Sequence, residues 1–321
     1  MKVVITGGAG FIGSNVVDAL LAAGHRVLVI DNFSTGYRQH LAGASTDREF
    51  EAVDCDLFDE PERLVELVSG ADAVVHLAAN ADVRFGWDAP RRDLEQNVIA
   101  THNVLEAIRR GGVPRLLFSS TGSVYGETEV IPTPEDAPFP VQTSLYGASK
   151  AAAEGYIAAY ASASLVSATV FRFVSVLGPR YSHGHVIDFV RQLLSSPDHL
   201  TILGDGRQRK SYLHVHDCAA AIVSCIGRTP EFEVFNLGVD DYCTVTESAG
   251  WICERLGLEP EVEYTGGDRG WIGDNPFIYL DTDRIRATGW EPGYGIRAAV
   301  ESTVDYLVDH RWIFEGPVKT G

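Results

Sequence analysis

Unbroken runs of aliphatic and β-branched residues alternate with amphipathic stretches through the first half of the chain. Residues 3–6, 26–31, 50–56, 72–79, 115–121 and 168–176 read as strands. Their apolar character is continuous rather than alternating, as in parallel strands covered on both faces. Between the first two, Val16, Val17, Leu20 and Leu21 recur at helical spacing and form one apolar face. Strands and helices in alternation predict an α/β fold with a doubly wound, Rossmann-type parallel sheet.

After about Gly178 the pattern changes, with frequent Pro, Gly and aromatic residues and a less regular alternation. Residues 178–213 and 240–312 are expected to form a smaller α/β lobe that binds substrate. Between them, 214–239 reads as an apolar helix and a strand (233–237) that rejoins the main sheet, so 1–177 and 214–239 make up the larger domain. A length of 321 residues suits that division.

Composition narrows the function. With 45% hydrophobic and 22% charged residues the chain is globular rather than disordered. A net charge of −18 repels nucleic acid and anionic membranes, so neither is an expected partner. It also repels an anionic small molecule, whose pocket must then carry its own cations. No apolar run reaches the roughly 18 residues of a membrane span, and Met1-Lys2-Val3-Val4-Ile5 leads straight into a glycine motif rather than a signal peptide. The five cysteines are scattered without a C-x-x-C pair, which reads as reduced thiols in a cytoplasmic protein, and no metal site is expected.

The glycine motif is Gly7-x-x-Gly10-x-x-Gly13, after a strand and opening a helix. This spacing lets the backbone turn sharply and bring a diphosphate to a helix N-terminus. A tight turn without ligand has the same glycines. Asp31, at the end of the second strand, adds a carboxylate placed to accept from ribose hydroxyls. The same charge repels a 2′-phosphate, which favours NAD over NADP. Asp56-Leu57 follow the third strand and are placed for the adenine edge.

Tyr146 and Lys150 form Tyr-x-x-x-Lys, which on a helix puts both side chains on one face. A cationic Lys beside a phenol is expected to favour the phenolate and give a base that works near neutral pH. The pair is also common by chance. Thr121 ends the preceding strand, with enough chain between for the helix to return to the same sheet edge.

Together these motifs resemble the extended short-chain dehydrogenase/reductase, or NAD-dependent epimerase/dehydratase, family, and within it the UDP-glucose and UDP-glucuronate 4-epimerases. The resemblance spans nearly the whole chain. It rests on Thr6-Gly7-Gly8-Ala9-Gly10-Phe11-Ile12-Gly13, Asp31-Asn32-Phe33-Ser34-Thr35-Gly36, His76-Leu77-Ala78-Ala79, Asn97, Ser119-Ser120-Thr121-Gly122-Ser123-Val124-Tyr125-Gly126, Tyr146-Gly147-Ala148-Ser149-Lys150 and Gly204-Asp205-Gly206. It implies Thr121, Tyr146 and Lys150 as the catalytic set. The implied NAD contacts are Gly7, Gly10, Phe11, Ile12, Gly13, Asp31, Asn32, Ser34, Thr35, Gly36, Asp56, Leu57, Leu77, Ala78, Ala79, Asn97, Ser119, Tyr146, Lys150 and Phe173. The implied nucleotide-sugar contacts are Thr121, Gly122, Ser123, Tyr146, Ser175, Arg180, His185, Val186, Lys210, Tyr212 and Arg269. It also implies a homodimer formed through helices near 94–110 and 149–163.

Two departures from the family pattern bear on substrate. The family's Arg-Tyr-Phe-Asn run reads Arg172-Phe173-Val174-Ser175, and its Arg after the Gly-Asp-Gly turn is replaced by Lys210, with Arg209 alongside. The Thr121-Gly122-Ser123 run also lacks the carboxyl groups that the family's dehydratases and decarboxylases carry there. The expectation is therefore 4-epimerisation of a UDP-sugar, UDP-glucuronic acid ahead of UDP-glucose. A dehydratase or ketoreductase on the same scaffold, or a non-catalytic NAD-binding regulator, is the alternative.

Overall fold

The computed structural model describes residues 1–81, 86–138, 141–267, 269–270 and 277–315. The first half forms β1 (Lys2–Thr6), α1 (Phe11–Ala22), β2 (Arg26–Asp31), β3 (Phe50–Asp54), α2 (Pro61–Val68) and β4 (Ala73–His76). Next come α3 (Pro90–Asp93), a π-helical turn (Leu94–Ile99) and α4 (Ala100–Gly111), then β5 (Arg115–Thr121), α5 (Leu145–Ser162) and β6 (Ser167–Phe173). The chain continues through β7 (Ser175–Leu177), α6 (His185–Ser195), β8 (His199–Ile202), β9 (Arg209–Lys210), β10 (Tyr212–His214), α7 (Val215–Ser224) and β11 (Phe232–Leu237). The last elements are β12 (Cys243–Thr244), α8 (Val245–Leu256), β13 (Glu261–Tyr264), β14 (Phe277–Ile278), α9 (Asp283–Arg286), α10 (Ile296–Asp309) and α11 (Trp312–Glu315).

Seven parallel strands make the central sheet in the order β11-β6-β5-β4-β1-β2-β3. The winding direction reverses between β1 and β4, and a ligand crevice opens at such a switch point beyond the strands' C-terminal ends. Both sheet faces are buried. Val3, Ile5, Val29, Val75 and Leu117 pack into one core with α1 and α7; Val4, Leu28, Ile30, Val74 and Leu116 pack into the other with α2, α4 and α5. Successive strand residues point to opposite cores, so the runs contain no polar alternation.

The strand expected over 168–176 breaks after Phe173. Phe173 is the last residue of β6 with partners, Thr121 of β5 on one side and Leu237 of β11 on the other. Both neighbours end at that level, and the chain leaves the sheet to pair as β7 with β10. Two further small sheets, β8 with β13 and β12-β9-β14, complete the second half. No described helix is long and apolar enough to cross a membrane.

A buried ion pair fixes α5 to the sheet. Arg172 of β6 makes a two-pronged contact with Glu154 of α5, 2.7 Å at the shortest, and the Ser120 hydroxyl donates to the same carboxylate. The other side of the guanidinium donates to the Tyr125 hydroxyl and the Glu135 carbonyl. Both charges are almost fully buried and paired, the condition under which buried charge is tolerated.

Candidate active site

At the C-terminal end of β1 the chain turns through Gly7 at φ +72°. A Cβ on Gly7 would lie 2.6 Å from the Ala78 nitrogen, and one on Gly13 would lie 2.1 Å from the Gly7 carbonyl oxygen. Only glycine lets the loop close this tightly. Gly10 caps α1 without a side-chain bond, so the first N–H groups of the helix lack intrahelical acceptors. Phe11, Ile12 and Gly13 line the crevice there, and the helix end favours an anion.

Asp31 is buried at the end of β2. Its carboxylate accepts from the Ala9 N–H (2.9 Å) and the Phe33 N–H (2.8 Å). A carboxylate has acceptor room for about four bonds, so it can hold the loop and a ribose diol together. Asn32 donates to Asp56 (2.6 Å) and accepts from the Ser34 hydroxyl (2.7 Å). Partial burial acts to raise the Asp56 carboxyl. The bonds from Asn32, Phe58 and Asp59 more than offset this and hold it below the usual range.

Ser34, Thr35, Gly36, Leu57, Leu77, Ala78, Ala79, Ser119 and Phe173 line the same cleft, of about 1920 Å³, together with Gly7, Gly10, Asp31, Asn32 and Asp56. Asn97 stands behind the lining. It accepts from the Asn80 N–H (2.8 Å) and donates to the Ser149 hydroxyl (2.9 Å), and so fixes the end of β4 against α5.

Ser144 starts α5 by accepting from the Gly147 N–H (3.0 Å), which puts Tyr146 in the first turn. Thr121 of β5 lines the cleft with the Tyr146 phenol, and its hydroxyl is bonded to Ser123, accepting from the Ser123 N–H (3.1 Å). Lys150, one turn on, donates from Nζ to the Ser119 carbonyl (2.9 Å). The charges differ from the expectation of a lysine-acidified phenol. Burial pushes the Tyr146 phenol up to about 12, with Thr121 opposing the shift and Asp93 adding to it. Burial pushes Lys150 down to about 7, against the fields of Glu154 and Asp93. In this arrangement Thr121 opposes the upward shift of the phenol, and Lys150 directs one of its three N–H donors to the strand carbonyl.

On the opposite wall Ser175, Gln208, Lys210 and Tyr212 join Thr121, Ser123 and Tyr146 in lining the cleft. Lys210 lines it and Arg209 does not, because neighbouring strand residues point to opposite faces. The Arg209 guanidinium instead lies 4.1 Å from the Phe277 ring centre. His185 begins α6, stacks on Tyr212 at 5.1 Å and meets the Ser248 hydroxyl at 2.8 Å. Burial, with Lys210's charge adding, lowers it to about 3 and keeps it neutral at physiological pH.

Four residues expected at the substrate are absent from the lining formed by the described residues. Arg180 reaches across to Asp18 of α1 (2.6 Å). Val186 is buried in the apolar core. Gly122 lies behind the wall, where a Cβ would come 2.8 Å from Ile278. Arg269 pairs with Glu127 (2.6 Å). Conversely, Asn80, Thr143, Ser144, Tyr181 and Arg191 line the cleft without having been singled out in the sequence. Asn80 lies four residues beyond the end of β4, next to the Leu77-Ala78-Ala79 run, a position that sequence can flag. The others arrive on loops and on α6, with no local signal.

The sequence profile of the NAD dependent epimerase/dehydratase family matches residues 3–238. The chain belongs to this family. A UDP-glucose 4-epimerase from Mycolicibacterium smegmatis is 32% identical over 312 residues, covering 96% of this chain and 98% of that protein. The crystal structure of the Thermus thermophilus UDP-glucose 4-epimerase complex with NAD is 32% identical, with a TM-score of 0.84 over 99% of this chain and 100% of that one. A mutant UDP-glucuronic acid 4-epimerase from Bacillus cereus, in complex with UDP-4-deoxy-4-fluoro-glucuronic acid and NAD, is 25% identical, with a TM-score of 0.88 over 96% and 99%. The cleft fits the cofactor of an NAD-dependent family: a glycine turn at a helix N-terminus and a buried carboxylate one strand away.

Proposed function

We propose that the protein is an NAD-dependent 4-epimerase of UDP-sugars, with UDP-glucuronic acid preferred and UDP-glucose second. The reaction class rests on one observation: Thr121 and the Tyr146 phenol line the same cleft as the glycine turn. Bound NAD⁺ supplies a hydride acceptor and a positive charge that favours the phenolate. Tyr146 takes the proton of the sugar's C4 hydroxyl as that carbon gives up its hydride, and returns the proton when the turned-over 4-keto sugar takes the hydride back on its other face. Thr121 holds the phenol and the sugar oxygen in line, and Lys150 holds the strand end. Gly122 and Ser123 offer no carboxyl group to eliminate water, which separates this site from dehydratase chemistry.

The substrate preference rests on Thr121, Ser123 and Ser175, which line the cleft with Tyr146. Hydroxyl donors suit a C6 carboxylate, since bonds to a charged acceptor are stronger than neutral ones. Lys210, beside Tyr212 and His185, is the cation for the UDP diphosphate, a point charge where the family pattern has a forked one. Residues 178–213 and 240–312 act as the substrate lobe on a domain of 1–177 and 214–239.

The assembly we propose is a homodimer through α4 and α5. Ala153 and Ile157 face the chain's own core, while Ala152, Tyr156 and Ala159 of α5, and Leu94 in the turn before α4, are exposed apolar positions. A monomeric mass at micromolar concentration overturns the dimer.

The test of function is a panel of UDP-, dTDP- and GDP-sugars, with products separated by chromatography. The 4-epimer should form without net change in NADH. A stable 4-keto product, or NAD binding without turnover, overturns the epimerase reading. A kcat/KM for UDP-glucose tenfold or more above that for UDP-glucuronic acid overturns the preference.

A further inference from the structure

A site that holds NAD and a UDP-sugar together must accommodate two diphosphates in a strongly acidic chain. The described cleft-lining cations are Arg91, Arg92, Arg191 and Lys210. Arg91 is paired with Glu95 at 2.8 Å, and Arg92 is its neighbour on α3, by the end of β4. Lys210 stands with His185 and Tyr212. Arg191, on α6, has no part in the reading given above.

Several contacts locate Arg191. Its guanidinium is oriented by Asp188, one turn earlier on α6, at 3.2 Å, and lies 5.7 Å from the Phe314 ring centre. Its Nε is buried, and no hydrogen-bond acceptor among the described residues meets it. Tyr37 lines the same cleft, and Trp312, two residues before Phe314 on α11, packs edge-on to it at 5.2 Å. Tyr37 in turn packs on the glycine turn, since its N–H donates to the Ala9 carbonyl at 3.0 Å. The preceding residue, Gly36, has no room for a Cβ, which would come 2.8 Å from Ala9 Cβ and 3.0 Å from Asp31 Oδ1. The chain leading into α6 packs on the same place, with Tyr181 edge-on to Phe11 at 5.4 Å. Arg191 thus stands on α6 in the cleft that Gly10, Phe11 and Tyr37 also line.

We propose that Arg191 is the cofactor's diphosphate cation, closing from α6 over the anion at the N-terminus of α1, while Lys210 serves the UDP diphosphate. The proposal rests on the reading of the cleft as an NAD and UDP-sugar site. Its chemistry is that of a planar, permanently charged fork that meets phosphate oxygens with paired donors. The glycine turn supplies N–H groups and partial charge on one side. Arg191 supplies a full charge on the other, from a different part of the chain, so bound NAD ties α6 to the central sheet.

The test is binding, measured by calorimetric titration of NAD⁺ and of UDP into protein freed of nucleotide. Arg191→Ala should weaken NAD⁺ by about tenfold or more, the loss of one charge-assisted contact, and leave UDP within twofold. Lys210→Ala should do the reverse, and Arg191→Lys should fall between wild type and Arg191→Ala for NAD⁺. Unfolding curves of Arg191→Ala without ligand should match wild type, since its side chain is 41% exposed. Unchanged NAD⁺ affinity in Arg191→Ala, or a loss that falls on UDP instead, overturns the assignment. Wild-type protein that binds neither NAD⁺ nor UDP overturns the reading of the cleft along with it.

Discussion

Lys150 of α5 donates to the carbonyl of Ser119 on β5 at 2.9 Å, while Thr121, two residues further along β5, lines the cleft with Tyr146, one helical turn before the lysine. The Lys150–Ser119 bond therefore registers helix against strand. Ser120, between Ser119 and Thr121, points to the other side and bonds Glu154. The three catalytic candidates are held by one strand–helix contact, so their geometry persists without substrate.

Tyr146→Phe keeps the ring and removes the ionisable oxygen. Turnover should fall by about 10²–10⁴-fold, the usual contribution of a general base. NAD content and the unfolding midpoint should stay close to wild type. A rate within a few fold of wild type removes Tyr146 from the mechanism.

Ser175→Ala removes one of three hydroxyls proposed for the C6 carboxylate. The measurement is kcat/KM on both UDP-sugars. UDP-glucuronic acid should lose about tenfold, corresponding to roughly 1.4 kcal/mol of transition-state binding, and UDP-glucose should lose little. Equal losses would make Ser175 a neutral part of the wall.

Asp31 should enforce NAD over NADP. Direct titration of wild-type protein should give NAD⁺ the tighter binding, and Asp31→Asn should narrow the gap. The carboxylate also accepts from Ala9 and Phe33, so the variant should lose some NAD⁺ affinity too. NADP⁺ binding as tight as NAD⁺ in wild type contradicts this role.

His76 predicts how stability depends on pH. It is buried between the Thr6 and Thr101 hydroxyls, and burial, with Lys150's charge adding, lowers it to about 3. The unfolded chain binds this proton below about 6.5, while the folded chain refuses it until about 3. Stability should therefore fall as pH drops from about 6.5 toward 3, by about 2 kcal/mol for this group by pH 5. Urea unfolding at pH 7.5 and pH 5.0 checks it: His76→Gln should lose less than wild type over that interval. An equal loss in both assigns the acid sensitivity elsewhere.

The fold class and the dinucleotide half of the cleft were legible in the chain because each depends on local constraints. Doubly buried parallel strands must be continuously apolar, Gly7 and Gly13 must lack side chains where the turn folds on itself, and Asp31 must end a strand. Tyr146 and Lys150 were legible for the same reason, being one helical turn apart. Tertiary structure alone decided what depended on distant partners. Asp18, far off in sequence, draws Arg180 away from the cleft. Strand parity turns Lys210 inward and Arg209 outward. Burial, which depends on the whole fold, moves the Tyr146 phenol up and Lys150 down. Arg191 enters the cleft only because the loop leading into α6 packs Tyr181 on Phe11 of α1. A long cationic side chain carries no periodic signal of where it ends, since its direction is set by whichever charge or cavity the fold brings within reach.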